Sequence, residues 1–197
     1  VVALSVLEND VVSPKKFFEC KGSISLYGQD YHCWKDKGHG FVNMRKAIKQ
    51  SCDVYFYEVA RRLGVDRLAI TSKQFGLGNK VLNQLNEEKN GVVPNTEWKK
   101  KNIGANWFLG ETLITGIGQG YFQSTPLQLC LMTAQIANGG YKIKPRIIDD
   151  KYQLESIISE WRDEFVNKKS NLVKLFENQE NVKFLHDALY GATNEPM

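Results

Sequence analysis

The chain has 197 residues, of which 42% are hydrophobic and 24% charged, as in an ordinary soluble globular protein. Its net charge of +4 is small and its lysines are scattered, which argues against a nucleic-acid-binding protein. No stretch approaches the roughly 18 apolar residues of a membrane span, and no signal peptide is visible.

The beginning of the chain predicts two helices separated by an irregular segment. Residues 1–9 continue a helix that ends near Asn9. Residues 11–42 contain glycines that favour turns, so this segment is predicted to be irregular. The second helix is predicted to follow from about Asn43.

Two further helices and a long loop are predicted next. Asp53 can cap a helix, and Gly64 lies just past the end of the apolar pattern that follows it. Asp66 opens another helix, which stops at the Phe-Gly-Leu-Gly turn of residues 75–78. Residues 79–112 are rich in asparagine and lysine and are predicted to form a loop.

The end of the chain predicts three helices and a strand. Thr125-Pro126 announces the first helix, and the Asn-Gly-Gly run of residues 138–140 terminates it. Alternating residues predict a strand over residues 141–148. Two charged amphipathic helices are predicted on the surface, over residues 152–168 and 178–190.

Three cysteines and a histidine lie within the first 53 residues. Cys20, Cys33, His39 and Cys52 are separated by 13, 6 and 13 positions. Three thiolates and one imidazole are a common ligand set for structural zinc, although the spacing is not that of a zinc finger. From the residues alone, another interpretation stays open, namely buried thiols or a disulfide together with a histidine on the surface. The odd number of cysteines in this region argues against simple pairing.

The last of these cysteines lies inside a Ser-x-Asp triplet, Ser51-Cys52-Asp53. A hydroxyl and a carboxylate that flank one residue at a helix start suit a serine-enzyme site. Taken in isolation, Asp53 is explained more simply as a helix cap.

Four strings occur in order and at compatible spacing: CWKDKGHG (33–40), QSCDVYFYEVARRLGVDRL (50–68), FGLG (75–78) and GIGQGYFQSTPLQL (116–129). Together they resemble the transpeptidase domain of class B penicillin-binding proteins, most closely the elongation-specific group, penicillin-binding protein 2. The resemblance runs from Val1 to about Pro145 and again over residues 184–196.

The resemblance implies an α+β fold, the penicillin-recognising serine transpeptidase (beta-lactamase-like) fold, with helices on both sides of an antiparallel sheet. Residues 1–197 are then expected to be a partial domain, rich in helices with part of the sheet. The family's Ser-x-x-Lys nucleophile segment is expected before Val1 and its Lys-Thr/Ser-Gly strand after Met197, so this fragment alone is expected to be inactive. Ser13 to Lys16 fits Ser-x-x-Lys by letter, but a polar turn explains it better.

The activity that the resemblance implies is peptidoglycan D,D-transpeptidation during cell elongation, through a serine acyl-enzyme that beta-lactams trap. Ser51 would relay a proton between the family's lysine and the leaving nitrogen, and Asp53 would orient the lysine or the substrate amide. Stem peptides, beta-lactams and a membrane glycan polymerase are the expected partners. The parent protein is expected in the bacterial inner membrane, with this domain facing the periplasm.

The resemblance also implies a structural zinc site beside the Ser-x-Asp loop. Its ligands match Cys20, Cys33, His39 and Cys52, with no open position at which zinc would activate water. The remaining cysteine, Cys130, lies on an apolar helix and is expected in the core.

Two other functions stay open on the sequence. One is a non-catalytic, zinc-stabilised interaction domain that descends from this fold. The other is a beta-lactam sensor of the same fold, which would be acylated and turn over little.

Overall fold

Helices account for half of the residues that the computed structural model describes, which are 1–82, 86–147, 151–162 and 173–196. The helices in these ranges are α1 (Val2–Glu8), α2 (Met44–Lys49), α3 (Asp53–Leu63), α4 (Val65–Gln74), α5 (Thr96–Ile103), α6 (Leu109–Gly116), α7 (Pro126–Ala137), α8 (Lys151–Arg162) and α9 (Gln179–Asn194). The strands are β1 (Phe18–Cys20), β2 (Ser23–Leu26), β3 (Gln29–His32) and β4 (Gly40–Val42).

Helix α3 lies at the centre of the core. Its buried side chains are Val54, Tyr55, Tyr57, Val59, Ala60 and Leu63. It packs against α6, and it also contacts α1 and α4. Where α3 meets α6, a Cβ on Gly116 would lie 2.4 Å from the Cβ of Ala60, so the two backbones approach more closely than any other residue allows. The end of α6 is therefore fixed against the helix that begins with Asp53.

The segment predicted to be irregular, residues 11–42, contains two small antiparallel sheets, so that prediction is wrong in part. β1 pairs with β4, with Cys20 opposite Gly40, and β2 pairs with β3, with Ser23 opposite His32. Each strand is only three or four residues long. An alternation this short is too brief to be recognised in a sequence.

The predicted helices α1, α2 and α3 are confirmed, but the predicted cap of α3 is wrong. Asn43 caps α2, since its side chain accepts the N–H of Lys46 at 3.0 Å. The N-cap of α3 is Cys52, and Asp53 is the first helical residue. The carboxylate of Asp53 instead accepts the backbone N–H of Trp34.

The middle of the chain is more helical than its composition indicates. Helix α4 begins at Val65, one residue before the predicted Asp66. The loop predicted over residues 79–112 contains α5 and the first half of α6, so that prediction is wrong in part. Asn95 caps α5 by accepting the N–H of Trp98 at 2.7 Å, and this cap is a signal that the loop prediction overlooked.

Helix α7 begins as predicted, with Pro126 in its first turn and the Thr125 hydroxyl accepting the N–H of Gln128. The prediction that Cys130 lies in the core is wrong, because this residue is exposed. The helix buries Gln128 and Gln135 instead, whose amide groups donate to backbone carbonyls of neighbouring segments. Polar side chains can occupy the inner face because these hydrogen bonds satisfy them.

The strand predicted over residues 141–148 is wrong in its described part, where the backbone makes an isolated bridge from Tyr141 to Lys174. The helix predicted over residues 152–168 is confirmed as α8, and residues 163–168 lie outside the described ranges. Helix α9 is confirmed and packs into the core through Val182, Leu185, Ala188 and Gly191. Among the described residues, no helix has the length and apolar character needed to span a membrane.

Candidate active site and metal centre

Four elements bring the predicted metal ligands together. Cys20 ends β1, Cys33 follows β3, His39 precedes β4, and Cys52 is the N-cap of α3. Because β1 pairs with β4, Cys20 lies opposite Gly40, the residue directly after His39. The four ligand atoms all lie within 4.8 Å of one another, and all four residues are buried.

The arrangement fits a tetrahedral zinc ion. Nδ1 of His39 lies 3.6 Å from Sγ of Cys20 and 3.5 Å from Sγ of Cys33. Bonds of about 2.3 Å for Zn–S and 2.0–2.1 Å for Zn–N place neighbouring nitrogen and sulfur ligands about 3.6 Å apart. The cysteines are free thiols rather than disulfides, so their sulfurs remain available as donors.

Burial opposes ionisation of the Cys52 thiol. The pKa of the Cys52 thiol is raised, chiefly by burial, and the neighbouring Cys20 and Cys33 add to this against an opposing backbone hydrogen bond from Tyr55. The pKa of His39 is lowered, mainly by burial, which favours the neutral imidazole that metals bind. A divalent cation would reverse this effect on Cys52, because it offsets the negative charge of the thiolate.

Ser51 points away from this cluster while the next residue points into it. Ser51 is exposed and has a φ of 51°, in the left-handed region that residues other than glycine rarely adopt. A conformation of this kind costs about 1–3 kcal/mol and persists where the surroundings impose it. The N–H of Cys52 donates to the carbonyl of Ala47 at 2.9 Å, which fixes the backbone after the strained residue.

The two predicted catalytic residues, Ser51 and Asp53, line the same pocket, whose volume is about 650 Å³. The other lining residues are His32, Cys33, Trp34, Tyr57, Ile117 and Gln119. Oδ2 of Asp53 accepts the backbone N–H of Trp34 at 2.9 Å. A pocket of this size is in the range of small-molecule sites.

Sequence reasoning missed Trp34, although this residue holds the Ser-x-Asp loop. Its indole Nε1 donates to the carbonyl of Gln50 at 3.1 Å and to that of Ser51 at 2.8 Å. Its ring lies edge-on to His39, with ring centroids 5.3 Å apart. The available signal was its place in the CWKDKGHG string, between two predicted ligands, where a tryptophan offers both a ring and an N–H donor.

Tyr57 is a second lining residue that the sequence did not single out as functional. Its hydroxyl donates to the carbonyl of His32 at 3.1 Å, which ties α3 to the end of β3. Burial, with Asp53 as the next cause, raises the pKa of Tyr57 to about 12. The phenol is therefore a neutral hydrogen-bond donor at ordinary pH.

Residues 1–196 match the family described as the penicillin binding protein transpeptidase domain. The chain belongs to this family. A curated relative, the peptidoglycan D,D-transpeptidase MrdA of Acinetobacter baumannii, is 46% identical over 115 residues, which are 58% of this chain and 17% of that protein. The family membership confirms the resemblance that the four sequence strings indicated.

Solved structures of penicillin-binding proteins share the fold. The complex of Helicobacter pylori PBP2 with MreC contains a chain that is 31% identical, with a TM-score of 0.82 over 98% of this chain and 34% of that one. A peptidoglycan synthase complex, described as coordinating polymerization and crosslinking, gives 25% identity and a TM-score of 0.73 over 98% and 31%. The expected transpeptidase fold is thus confirmed, while the chain spans about a sixth of the curated relative's length.

Proposed function

We propose that this chain is part of a peptidoglycan D,D-transpeptidase that cross-links stem peptides during cell elongation. The observation that carries the proposal is an exposed Ser51 beside a hydrogen-bonded Asp53 on one pocket, in a chain of the transpeptidase family. The name of the curated MrdA relative supports the same activity.

The proposed reaction is acyl transfer in two halves. A serine of the parent protein, outside this chain, attacks the carbonyl carbon of the D-Ala-D-Ala bond; the new ester bond forms, the C–N bond breaks, and D-alanine leaves after its nitrogen takes a proton. An amine of a second stem peptide then attacks the ester, which forms the cross-link and returns a proton to the serine. Beta-lactams would react in the first half and stay attached.

Within this reaction, the hydroxyl of Ser51 passes the proton from the parent's lysine to the leaving nitrogen. Asp53 holds the lysine or the substrate amide in place, and its own position is set by the N–H of Trp34. Positioning of this kind matters because about 1 Å of misplacement can cost on the order of 100-fold in rate.

Zinc is proposed as a structural ion held by Cys20, Cys33, His39 and Cys52. When bound, it supplies no activated water, because four protein ligands complete its tetrahedron. The ligand spacing and burial described above support this assignment. Cys52 would be fixed between Ser51 and Asp53, so that metal binding also orders the catalytic loop.

The parent protein is proposed to face the periplasm from the bacterial inner membrane and to work with a membrane glycan polymerase. The description of the related synthase complex supports such a pairing.

The test uses the full-length protein that contains this chain. Purified protein is treated with a fluorescent penicillin, and in parallel with a glycan carrying stem peptides, whose products are analysed by mass spectrometry. Covalent labelling together with cross-linked product is the expected result, and prior treatment with unlabelled penicillin should abolish both. Labelling without product would instead indicate a sensor, and neither reaction would indicate a binding module.

A further inference from the structure

Trp34 contacts the carboxylate of Asp53 and the backbone around Ser51. Its backbone N–H donates to Oδ2 of Asp53 at 2.9 Å, and its indole N–H donates to the carbonyls of Gln50 and Ser51. One side chain and its own backbone thus supply three hydrogen bonds to a stretch of four residues. We propose that Trp34 is a positioning residue for transpeptidation, an inference that rests on the proposed roles of Ser51 and Asp53.

The indole N–H acts on the conformation of Ser51 itself. The carbonyl of Gln50 belongs to the peptide group before Ser51, and the carbonyl of Ser51 belongs to the peptide group after it. A donor shared by both carbonyls fixes the two planes that define φ and ψ of Ser51. The left-handed φ of 51°, and with it the backbone position from which the Ser51 side chain projects, is therefore held by Trp34.

Trp34 is itself held by the metal-type cluster. It directly follows Cys33, and its ring packs edge-on against His39. Both neighbours are buried, whereas Trp34 is 57% exposed at the pocket. The residue therefore connects an ordered, buried cluster with the exposed catalytic loop.

A pocket-lining tryptophan can also serve as a contact surface for substrate, and the chemistry of the side chain separates the two roles. Trp34→Phe keeps the aromatic face and the backbone N–H to Asp53, and it removes only the indole N–H. If Trp34 is a contact surface for substrate, Trp34→Phe should change the apparent dissociation constant for penicillin. If Trp34 is a positioning donor, the substitution should lower the maximal acylation rate.

The experiment measures acylation of the full-length protein by a fluorescent penicillin under stopped flow, so that the maximal rate and the dissociation constant are separated. Trp34→Phe is expected to lower the maximal rate about tenfold or more, with the dissociation constant within about twofold. Zinc content and the thermal midpoint should match those of the unsubstituted full-length protein. The matched control is Trp107→Phe, which removes an indole hydrogen bond to Thr112 of similar length away from the pocket and should leave the rate unchanged.

Each other outcome would overturn the inference. An unchanged maximal rate would show that the indole N–H does not position Ser51. A rate that falls together with zinc content and thermal midpoint would make Trp34 a stabilising residue only. If the unsubstituted full-length protein does not acylate, the proposed function is wrong. If it acylates and Trp34→Phe acylates equally fast, only the inference about Trp34 is wrong.

Discussion

The core around α3 and the segment from β1 to Asp53 are ordered by different interactions. In the core, apolar side chains such as Leu4, Phe75 and Leu113 have no exposed surface. In the segment, the strands are short and large side chains such as Tyr27 and Phe41 are exposed. Besides the apolar Tyr31, Val42, Met44 and Ala47, this segment buries the cluster of three thiols and one imidazole.

This difference means that separate perturbations should affect the two regions. Apolar burial is spread over many side chains, so a single truncation in the core removes a fraction of the stability. The cluster offers four ligands to the proposed zinc ion, so the loss of one ligand should remove the whole site. The Ser-x-Asp loop contains Cys52, a member of the cluster, and leads into α3, which lies in the core.

The largest effect is expected from Cys52→Ala. This change removes the ligand that lies between Ser51 and Asp53, so bound zinc and acylation by penicillin should be lost together. Zinc is measured by elemental analysis and acylation by fluorescent labelling of the full-length protein. Cys130→Ala, which removes an exposed cysteine, is the control and should retain both. A Cys52→Ala protein that lacks zinc and acylates fully would contradict the account.

Ser51→Ala should reduce acylation by roughly 100- to 10,000-fold, the usual contribution of a general acid–base group. Because the Ser51 side chain is exposed, zinc content and the thermal midpoint should stay as in the parent. Ser13→Ala, at an exposed serine in the rejected Ser-x-x-Lys string, is the matched control and should acylate normally. Equal acylation rates for the two variants would exclude a catalytic role for Ser51.

Leu4→Ala should act on the core alone. The side chain is fully buried, and its truncation should lower the free energy of unfolding by about 2–5 kcal/mol. Zinc should remain bound in the folded protein, which chemical denaturation and elemental analysis can establish together. Ile70→Ala, at an exposed apolar residue of α4, should change the free energy of unfolding by no more than about 0.5 kcal/mol. Loss of zinc from the folded Leu4→Ala protein would contradict the account, because a change in the core would then also affect the metal site.

The smallest effect is expected where α9 meets α2. Hydrogen bonds from Arg45 and then Lys49 lower the pKa of Glu195 to about 2. Since the folded pKa lies below the ordinary value of 4.5, this carboxylate stabilises the fold above that value, and the contribution is lost as pH falls from 4.5 towards 2.

Glu195→Gln should therefore flatten the fall in thermal midpoint over that acid range. Glu180→Gln, at an exposed residue of α9, is the control and should leave the acid limb as it is. An acid limb that is identical in parent and Glu195→Gln would show that the contacts to Arg45 and Lys49 contribute nothing to stability.

The sequence predicted those helices whose signals lie in residues close together along the chain. Helix α3 followed from apolar spacing, and α7 followed from Thr125-Pro126, because such signals depend on neighbours along the chain. The exposure of Cys130 could not be read in this way, since it follows from Gln128 and Gln135 finding carbonyl partners on distant segments.

The sequence predicted which residues form the candidate site, but not the hydrogen bonds that join them. The cysteines and His39 stood out by type, and the resemblance joined them to Ser51 and Asp53. The role of Trp34 was hidden, because its bonds to Gln50 and Ser51 depend on a left-handed backbone that no spacing reveals.

The most direct test of the account is amide hydrogen exchange of the full-length protein with zinc present and after its removal by a chelator. The account predicts that removal increases exchange in peptides covering residues 20–53 and leaves α4 and the buried part of α3 protected. Unchanged exchange over residues 20–53, or an equal increase throughout the core, would contradict the claim that a metal orders the catalytic loop.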